Sequence, residues 1–186
     1  MHKNTIIRSV ASIFIGALLL TGCDQPTPDT KTANTTPKTA NTTPNAAEDY
    51  IKNYKVTRKV DGVFENISED IKDAIIDRGI KINNISHIGN MLARTGADVG
   101  ATVTIFSGDA VAIEFCSSTV SRETMEADPH NIVFCPYIIS VYSLPGDIEH
   151  TYVSYRRPLP VGDARSQASI KAVEALLEEI ITSAVE

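Results

Sequence analysis

The sequence predicts an α+β domain in which a mostly antiparallel sheet carries helices on one face. Several short segments rich in β-branched and aromatic residues alternate apolar with polar positions, which is typical of strands with one buried face. The C-terminal segment instead repeats apolar residues at helical spacing. Its stripe consists of Ile170, Val173, Leu176, Leu177, Ile180, Ile181 and Ala184. The predicted order of strand, helix, several strands and long helix favours the α+β class.

The first 22 residues have the features of a secretory signal peptide and are not expected to belong to the fold. Lys3 and Arg8 precede an apolar run at 10–20, which is short for a membrane span. The run ends in leucine, threonine, glycine and cysteine at 20–23, which resembles the bacterial lipobox. The resemblance implies that Cys23 carries a diacylglycerol lipid after cleavage. The alternative is an ordinary signal peptide in which Cys23 is incidental.

The residues after Cys23 predict where the protein resides and how its domain is tethered. By resemblance to enterobacterial lipoproteins, Asp24 implies retention at the inner membrane on the periplasmic side of the cell envelope, with the outer membrane as the alternative. Residues 25–47 are rich in Thr, Pro and Asn, and KTANTTP occurs twice, at 31–37 and 38–44. This composition is typical of a disordered tether. The predicted organisation is signal peptide 1–22, lipidated cysteine and tether 23–47, and one domain 48–186.

Composition disfavours several classes of function. The formal net charge is -6, there is no tryptophan and no basic cluster, so nucleic acid is not an expected partner. The sequence contains no HExxH, P-loop, GxSxG, CxxC or dinucleotide-binding motif. We therefore predict no catalytic residue, no cofactor and no metal centre from motifs alone.

The first half of the domain is predicted to contain two strands around one helix. A strand is expected at 54–60, and Asp61 with Gly62 opens the next helix. That helix carries an apolar stripe and ends near Gly79; the stripe is Phe64, Ile67, Ile71, Ala74 and Ile75. A second strand is expected at 80–87. Residues 88–95 are expected to form a single helical turn or a structured loop.

The central stretch 115–142 is expected to contain a short helix between two strands. One strand ends at Phe115; Ser121 is predicted to cap the helix, and Pro129 ends it. The following strand is predicted from about 132 to 144, with Pro136 inside it at an edge, a start or a bulge. A turn at 145–147, a strand at 152–156 and a final helix capped by Asp163 complete the domain.

Two cysteines lie at the two ends of that helical excursion. Because connections of this kind usually join neighbouring elements, Cys116 and Cys135 are predicted to lie close together. In an oxidising compartment they form a structural disulfide or, alternatively, remain buried free thiols. The sharper alternatives are a redox couple and a soft-metal site that includes His130 or Met125.

Three arginines are the best polar candidates for ligand binding. Strand alternation places Arg156 and Arg157 on opposite faces, so one of them can reach an anion or a carboxylate head group. Arg122 is the third candidate. The alternative for these arginines is an internal salt bridge with one of three acidic residues, Glu114, Glu126 or Asp128.

Several short motifs of the domain resemble the family called domain of unknown function 302. The matching residues are Phe115-Cys116-Ser117, Ser121-Arg122, Met125-Glu126-Ala127-Asp128-Pro129, Asn131-Ile132-Val133-Phe134-Cys135-Pro136 and Tyr155-Arg156-Arg157-Pro158. The resemblance covers about 54–185 and implies a strand–helix–four strands–helix fold like one half of the TATA-binding protein. It implies no catalytic residues, because the family has no established activity.

Three hypotheses for function follow. The first is a non-enzymatic module that takes a small or apolar ligand between sheet and helix. The second is a thiol-based redox, sulfur-handling or soft-metal protein that uses Cys116 and Cys135. The third is an envelope module that docks a protein partner.

Overall fold

The structure is a computed structural model that describes residues 52–186, so the predicted signal peptide, Cys23 and the tether lie outside the described residues. In chain order the elements are β1 (Lys55–Asp61), α1 (Phe64–Ile76), β2 (Ile82–His87), α2 (Ile88–Thr95), β3 (Ala110–Phe115), α3 (Ser118–Ala127), β4 (Tyr137–Leu144), β5 (Asp147–Arg156) and α4 (Ala164–Val185). Two 3-10 helices, Ala97–Val99 and Pro129–Phe134, lie in connections.

The five strands form one antiparallel sheet in the order β1-β5-β4-β3-β2. This arrangement confirms the predicted α+β class and the predicted strand–helix–four strands–helix order, with α2 and α3 as additional short helices. The strand β4 is central, and β1 and β2 are the two edges. Since the side chains of a strand alternate between faces, each central strand buries every second residue.

The core lies between one face of the sheet and the helices α1 and α4. Each of these helices turns an apolar stripe toward the sheet, and the stripe predicted for α4 is buried along most of its length. The largest fully buried side chains include Ile71 and Ile75 of α1, Ile113 and Phe115 of β3, and Ile180 and Ile181 of α4. Asp163 caps α4 as predicted, because its carboxylate accepts a hydrogen bond from the Ser166 N–H at 2.8 Å.

The cap of α3 differs from the predicted one. Ser117, not Ser121, precedes the helix in an extended conformation and accepts a hydrogen bond from the Val120 N–H. Ser121 lies one turn inside the helix, where its hydroxyl is 3.0 Å from the Tyr137 hydroxyl. Two serines within one turn both have capping chemistry, and packing against β4 decides between them. The predicted end of this helix before Pro129 is confirmed.

The prediction of a strand from about 132 was wrong at its beginning. Residues Pro129–Phe134 form a 3-10 helix, and β4 begins only at Tyr137. Pro136 immediately precedes the strand and follows a cis peptide bond. A central strand needs its N–H groups for pairing, so a proline is accommodated before the paired segment and not within it.

Smaller differences concern the remaining boundaries. The second strand begins at Ile82, and residues 88–95 form an eight-residue helix, where a single turn or a loop was predicted. The last strand starts at Asp147, the final residue of the predicted turn, where a start at 152 was predicted. At α1, the N-cap is Val63 without a side-chain cap, so Asp61 does not cap this helix. None of the helices between residues 52 and 186 is both long and apolar enough to span a bilayer.

Candidate ligand-binding site

A cavity of about 420 Å³ opens at the end of the sheet where β4 begins and β5 ends. Here β4 still pairs with β3, with Tyr137 opposite Phe115, and β5 still pairs with β1, with Arg156 opposite Lys55. Pairing between β4 and β5 themselves stops at Ile139 opposite Tyr155. The two central strands therefore separate, and we call the resulting opening the cleft.

The wall of the cleft is mainly apolar. The 3-10 helix before β4 contributes Val133 and Phe134, the segment after β5 contributes Pro158 and Leu159, and α4 contributes Val173 and Leu177 from the core side. Val133 is 77% exposed and Leu159 is 39% exposed. Exposed apolar side chains that gather around one opening, and are not scattered singly, are typical of a binding surface.

Two cations stand at the rim of the cleft. Lys55 and Arg156 occupy directly opposite positions in the β1–β5 ladder, and both line the cavity. Neither makes an ion pair with another residue of the described part, 52–186. Like charges directly opposite in a sheet destabilise it. An anion bound between the two side chains would relieve this repulsion, so the pair is suited to hold an anionic group.

Lys59 lies on the same face of β1 as Lys55 but, unlike Lys55, makes an ion pair among the described residues. Lys59 lies 3.0 Å from Asp147, which also accepts a hydrogen bond from the Tyr152 hydroxyl at 2.6 Å. These hydrogen bonds hold the pKa of Asp147 well below its usual range, so the carboxylate is charged at neutral pH. At the far end of β5 the charge of Lys59 is thus balanced by Asp147, whereas Lys55 and Arg156 at the cleft have no ion pair among the described residues.

Two acidic residues of α4, each next in sequence to a residue of the cleft wall, are already paired. Arg157 donates through Nε to Glu174 at 2.7 Å, and Glu178 accepts hydrogen bonds from Arg58 and from the Tyr155 hydroxyl. Arg156 and Arg157 both line the cavity but differ in their partners, and the prediction that they lie on opposite faces of the sheet stays a prediction. Arg156 faces the cleft rim, and Arg157 forms an internal salt bridge, with Glu174 and not with any of the three acids predicted as partners.

Two tyrosines flank the cleft on the core side. Burial raises the pKa of Tyr155, and the hydrogen bond to Glu178 raises it further. Burial also raises the pKa of Tyr137, although its hydrogen bond with Ser121 opposes this effect. Both hydroxyls therefore stay uncharged at neutral pH, and neither places a negative charge beside the two rim cations.

The two cysteines are joined. A disulfide links Cys116, at the end of β3, to Cys135, with their Cα atoms 6.5 Å apart. The predicted proximity of the two thiols is confirmed. Cys135 directly follows the 3-10 helix that supplies Val133 and Phe134, so the disulfide fixes one wall of the cleft to the sheet.

The excursion between the cysteines is also tied down by a buried amide. Asn131 is 3% exposed, and its Nδ2 donates to the Thr124 carbonyl at 3.1 Å and to the Ser166 hydroxyl at 2.9 Å. These two bonds connect the 3-10 helix to α3 and to α4. The wall of the cleft is therefore held in place by covalent and polar contacts before any ligand binds.

The other predicted candidates lie outside the cleft. Arg122 is exposed on α3 and bonds Glu126 at 3.2 Å, one of the predicted internal partners. His130 is exposed and Met125 is partly buried, and neither lines the cavity. Within residues 52–186, no three His, Cys, Asp or Glu side chains are grouped so as to hold a metal ion.

Two residues of the cleft, Lys55 and Leu159, were not predicted from the sequence. Lys55 matters because it lies opposite Arg156, and that register joins residues far apart in the chain. Leu159 follows the Tyr-Arg-Arg-Pro run that was noticed, so its proximity to Arg156 was the one signal available.

An open antiparallel sheet with helices on one face and a cleft between two neighbouring strands defines a small α+β domain. The family described as "Domain of unknown function DUF302" matches residues 56–184, and the chain belongs to this family. One solved structure, titled "Crystal structure of uncharacterized conserved protein DUF302 from Bacillus stearothermophilus", is similar to it with a TM-score of 0.58. The two chains are 16% identical over 70% of this chain and 97% of the other, a likeness that shows the fold. No curated protein matches the chain significantly.

Proposed function

We propose that this chain is a lipid-anchored protein of the bacterial cell envelope whose domain binds a small amphipathic anion in the cleft without catalysing a reaction. The observation that carries the proposal is the pair Lys55 and Arg156, two cations directly opposite each other above an apolar cavity, neither of which makes an ion pair among residues 52–186. The apolar wall takes the hydrophobic part of the ligand, and the cations take its charged group.

The electrostatics of the surroundings support an anion over a cation or a neutral molecule. Glu174 and Glu178 are engaged by Arg157 and Arg58, and both cleft tyrosines stay protonated. The rim of the cleft is therefore positive in a chain whose formal net charge is -6. The cavity volume of about 420 Å³ falls in the range of small-molecule sites.

A second candidate function is thiol-based redox chemistry at Cys116 and Cys135. The observation that favours it is that the disulfide is only partly buried and adjoins the cleft. This function, unlike anion binding, requires that the disulfide be reduced and re-formed in the folded protein.

The test of the first proposal uses the absence of tryptophan from the chain. In the full-length protein, Leu159→Trp places a single emitter at the wall of the cleft. We expect hexyl phosphate to change its emission saturably and neutral hexanol to do so much less.

The matched variants separate recognition from general charge. The double variant Lys55→Gln/Arg156→Gln should weaken hexyl phosphate binding about tenfold or more, the effect of losing charge-assisted hydrogen bonds. The control Arg165→Gln/Lys171→Gln changes the net charge equally at exposed positions of α4 outside the cleft, and should bind like the parent. Absence of any saturable response to hexyl phosphate, with a Phe134→Trp reporter as well, would overturn the proposal.

A further inference from the structure

We infer that the anion recognised by the cleft is the headgroup of a phospholipid in the same membrane that holds the chain. This inference rests on the proposed function and names its ligand class. It also depends on the predicted lipid at Cys23, and it makes the cleft a site for membrane lipid and not only for dissolved amphiphiles.

The predicted tether enters the domain beside the cleft. Lys55 is the first residue of β1 and Tyr54 precedes it; both line the cleft, so the segment 24–53 joins the domain at the rim of the cavity. A chain of that length spans at most about 100 Å even when fully extended. The predicted anchor therefore attaches to the domain at the rim of the cleft and leaves the rim within reach of the bilayer.

The surface around the opening carries exposed apolar side chains. Ile132 is 62% exposed and Val133 is 77% exposed, and both precede β4 beside the cleft. A soluble ligand inside the cavity would leave Ile132, which does not line it, and the outward part of Val133 in water. A bilayer surface would take them into its apolar boundary, as it does the apolar residues of interfacial segments.

The two rim cations can lie at a different depth in a membrane from those apolar side chains. Lys55 and Arg156 carry long aliphatic stems that allow their charged groups to lie at phosphate level while apolar neighbours lie deeper. Anionic lipids attract basic residues near the membrane surface. Because the rest of the chain is acidic on balance, this attraction orients the domain with the cleft toward the membrane.

The test places the full-length Leu159→Trp protein, isolated from bacterial membranes, in lipid nanodiscs. One set contains phosphatidylglycerol brominated on an acyl chain, and the matched set contains phosphatidylcholine with the same brominated chain. Bromine quenches tryptophan only on close approach. We expect severalfold stronger quenching by the brominated phosphatidylglycerol than by the phosphatidylcholine.

Three control variants make the result specific to the cleft. Val99 lies in the connection after α2, is 77% exposed and does not line the cavity. A Val99→Trp reporter should therefore be quenched weakly in both sets. Lys55→Gln/Arg156→Gln in the Leu159→Trp background should lower the phosphatidylglycerol signal to that of phosphatidylcholine. Arg165→Gln/Lys171→Gln should leave it unchanged.

The outcomes distinguish this inference from the proposed function. If hexyl phosphate binds the cleft but brominated phosphatidylglycerol does not quench Leu159→Trp, the lipid inference is overturned and the anion-binding proposal stands. Equal quenching by both lipids overturns headgroup recognition, and recovery of the chain outside the membrane fraction overturns lipid access. If neither hexyl phosphate nor lipid acts, both ideas fall.

Discussion

The polar residues near the cleft differ in whether their hydrogen-bonding partners lie within the domain. Glu178 joins β1, β5 and α4 because it accepts from Arg58 and from the Tyr155 hydroxyl. By contrast, Arg156 lines the cavity without an ion pair in the described part of the chain. A side chain whose partners are all internal stabilises the fold, whereas one that faces a cavity without a partner is available to a ligand.

Tyr155 gives a prediction about alkaline stability. Burial and Glu178 raise its pKa, so the unfolded chain releases this hydroxyl proton at a lower pH than the folded chain. The contribution of Tyr155 to stability is fully present below about pH 10, the ordinary tyrosine pKa, and is lost as pH rises above it. Tyr155→Phe should therefore lower the free energy of unfolding by about 1.5–3 kcal/mol at pH 8 and by less at pH 11.

Urea unfolding of the full-length protein between pH 8 and 11 measures this difference. The stability of the parent should fall more steeply with pH than that of the Tyr155→Phe variant. Two curves that run parallel over the whole range would show that the hydroxyl is not held in its protonated form by the fold.

At the level of single residues, the sequence predicted local chemistry better than pairing partners. Asp163 was identified as a cap because it precedes a clear apolar stripe, and the structure confirms it. Ser121 was predicted as the cap, but Ser117 fills that role, because the sequence does not show which hydroxyl β4 engages through Tyr137. The pairing of Arg157 with Glu174 similarly depends on where α4 lies.

Among the elements, the excursion from β3 to β4 determines the shape of the cleft. It contains α3 and the 3-10 helix Pro129–Phe134, and the disulfide joins its two ends. The wall residues Val133 and Phe134 therefore belong to a closed loop and not to a free connection. This arrangement predefines the cleft, which lowers the entropy lost on binding.

Removal of this disulfide should be measurable as a loss of stability. The sequence separation of the cysteines is 19, and closing a loop of this size stabilises by about 3 kcal/mol in the chain-entropy estimate. We expect Cys116→Ala/Cys135→Ala to lower the free energy of unfolding by roughly that amount in urea.

Reductant provides the matched control. It should destabilise the parent and leave the double variant unchanged, and alkylation without reductant should not modify Cys116 or Cys135. Full alkylation of both cysteines of the native protein in the absence of reductant would contradict both the disulfide and the hypothesis of a two-cysteine redox function.

The elements were predictable where local periodicity coincides with tertiary packing. The stripes of α1 and α4 and the alternation of β3 were read correctly because a single face of each is buried. Residues 132–134 were assigned to a strand because Ile, Val and Phe favour strands, yet these three side chains are not paired in the sheet. The cleft itself could not be predicted, since it arises where β4 and β5 stop pairing, and no local pattern encodes that register.

At the scale of the whole molecule, the predicted lipid on Cys23 is the feature to test first. The reason is the lipobox resemblance at 20–23 and the separation of this residue from the folded domain. Metabolic labelling with a palmitate analogue should mark the parent protein, and Cys23→Ala should abolish the label.

The control for this experiment is Cys116→Ala/Cys135→Ala, which should be labelled as strongly as the parent because the lipid is not attached at either position. Persistent labelling of the Cys23→Ala protein would show that another residue carries the acyl group, and the lipobox interpretation would be wrong.

The position of β1 at the edge of the sheet has a consequence for the order in which the chain folds. The only strand that pairs with β1 in the described sheet is β5, and Lys55 meets Arg156 across about 100 intervening residues. Contacts of such long range form late, because most of the intervening chain must be organised first. A chain that emerges N-terminus first therefore carries an unpaired leading strand until β5 has followed it. The two rim cations come together only at that moment, so a chain truncated before β5 lacks the cleft entirely.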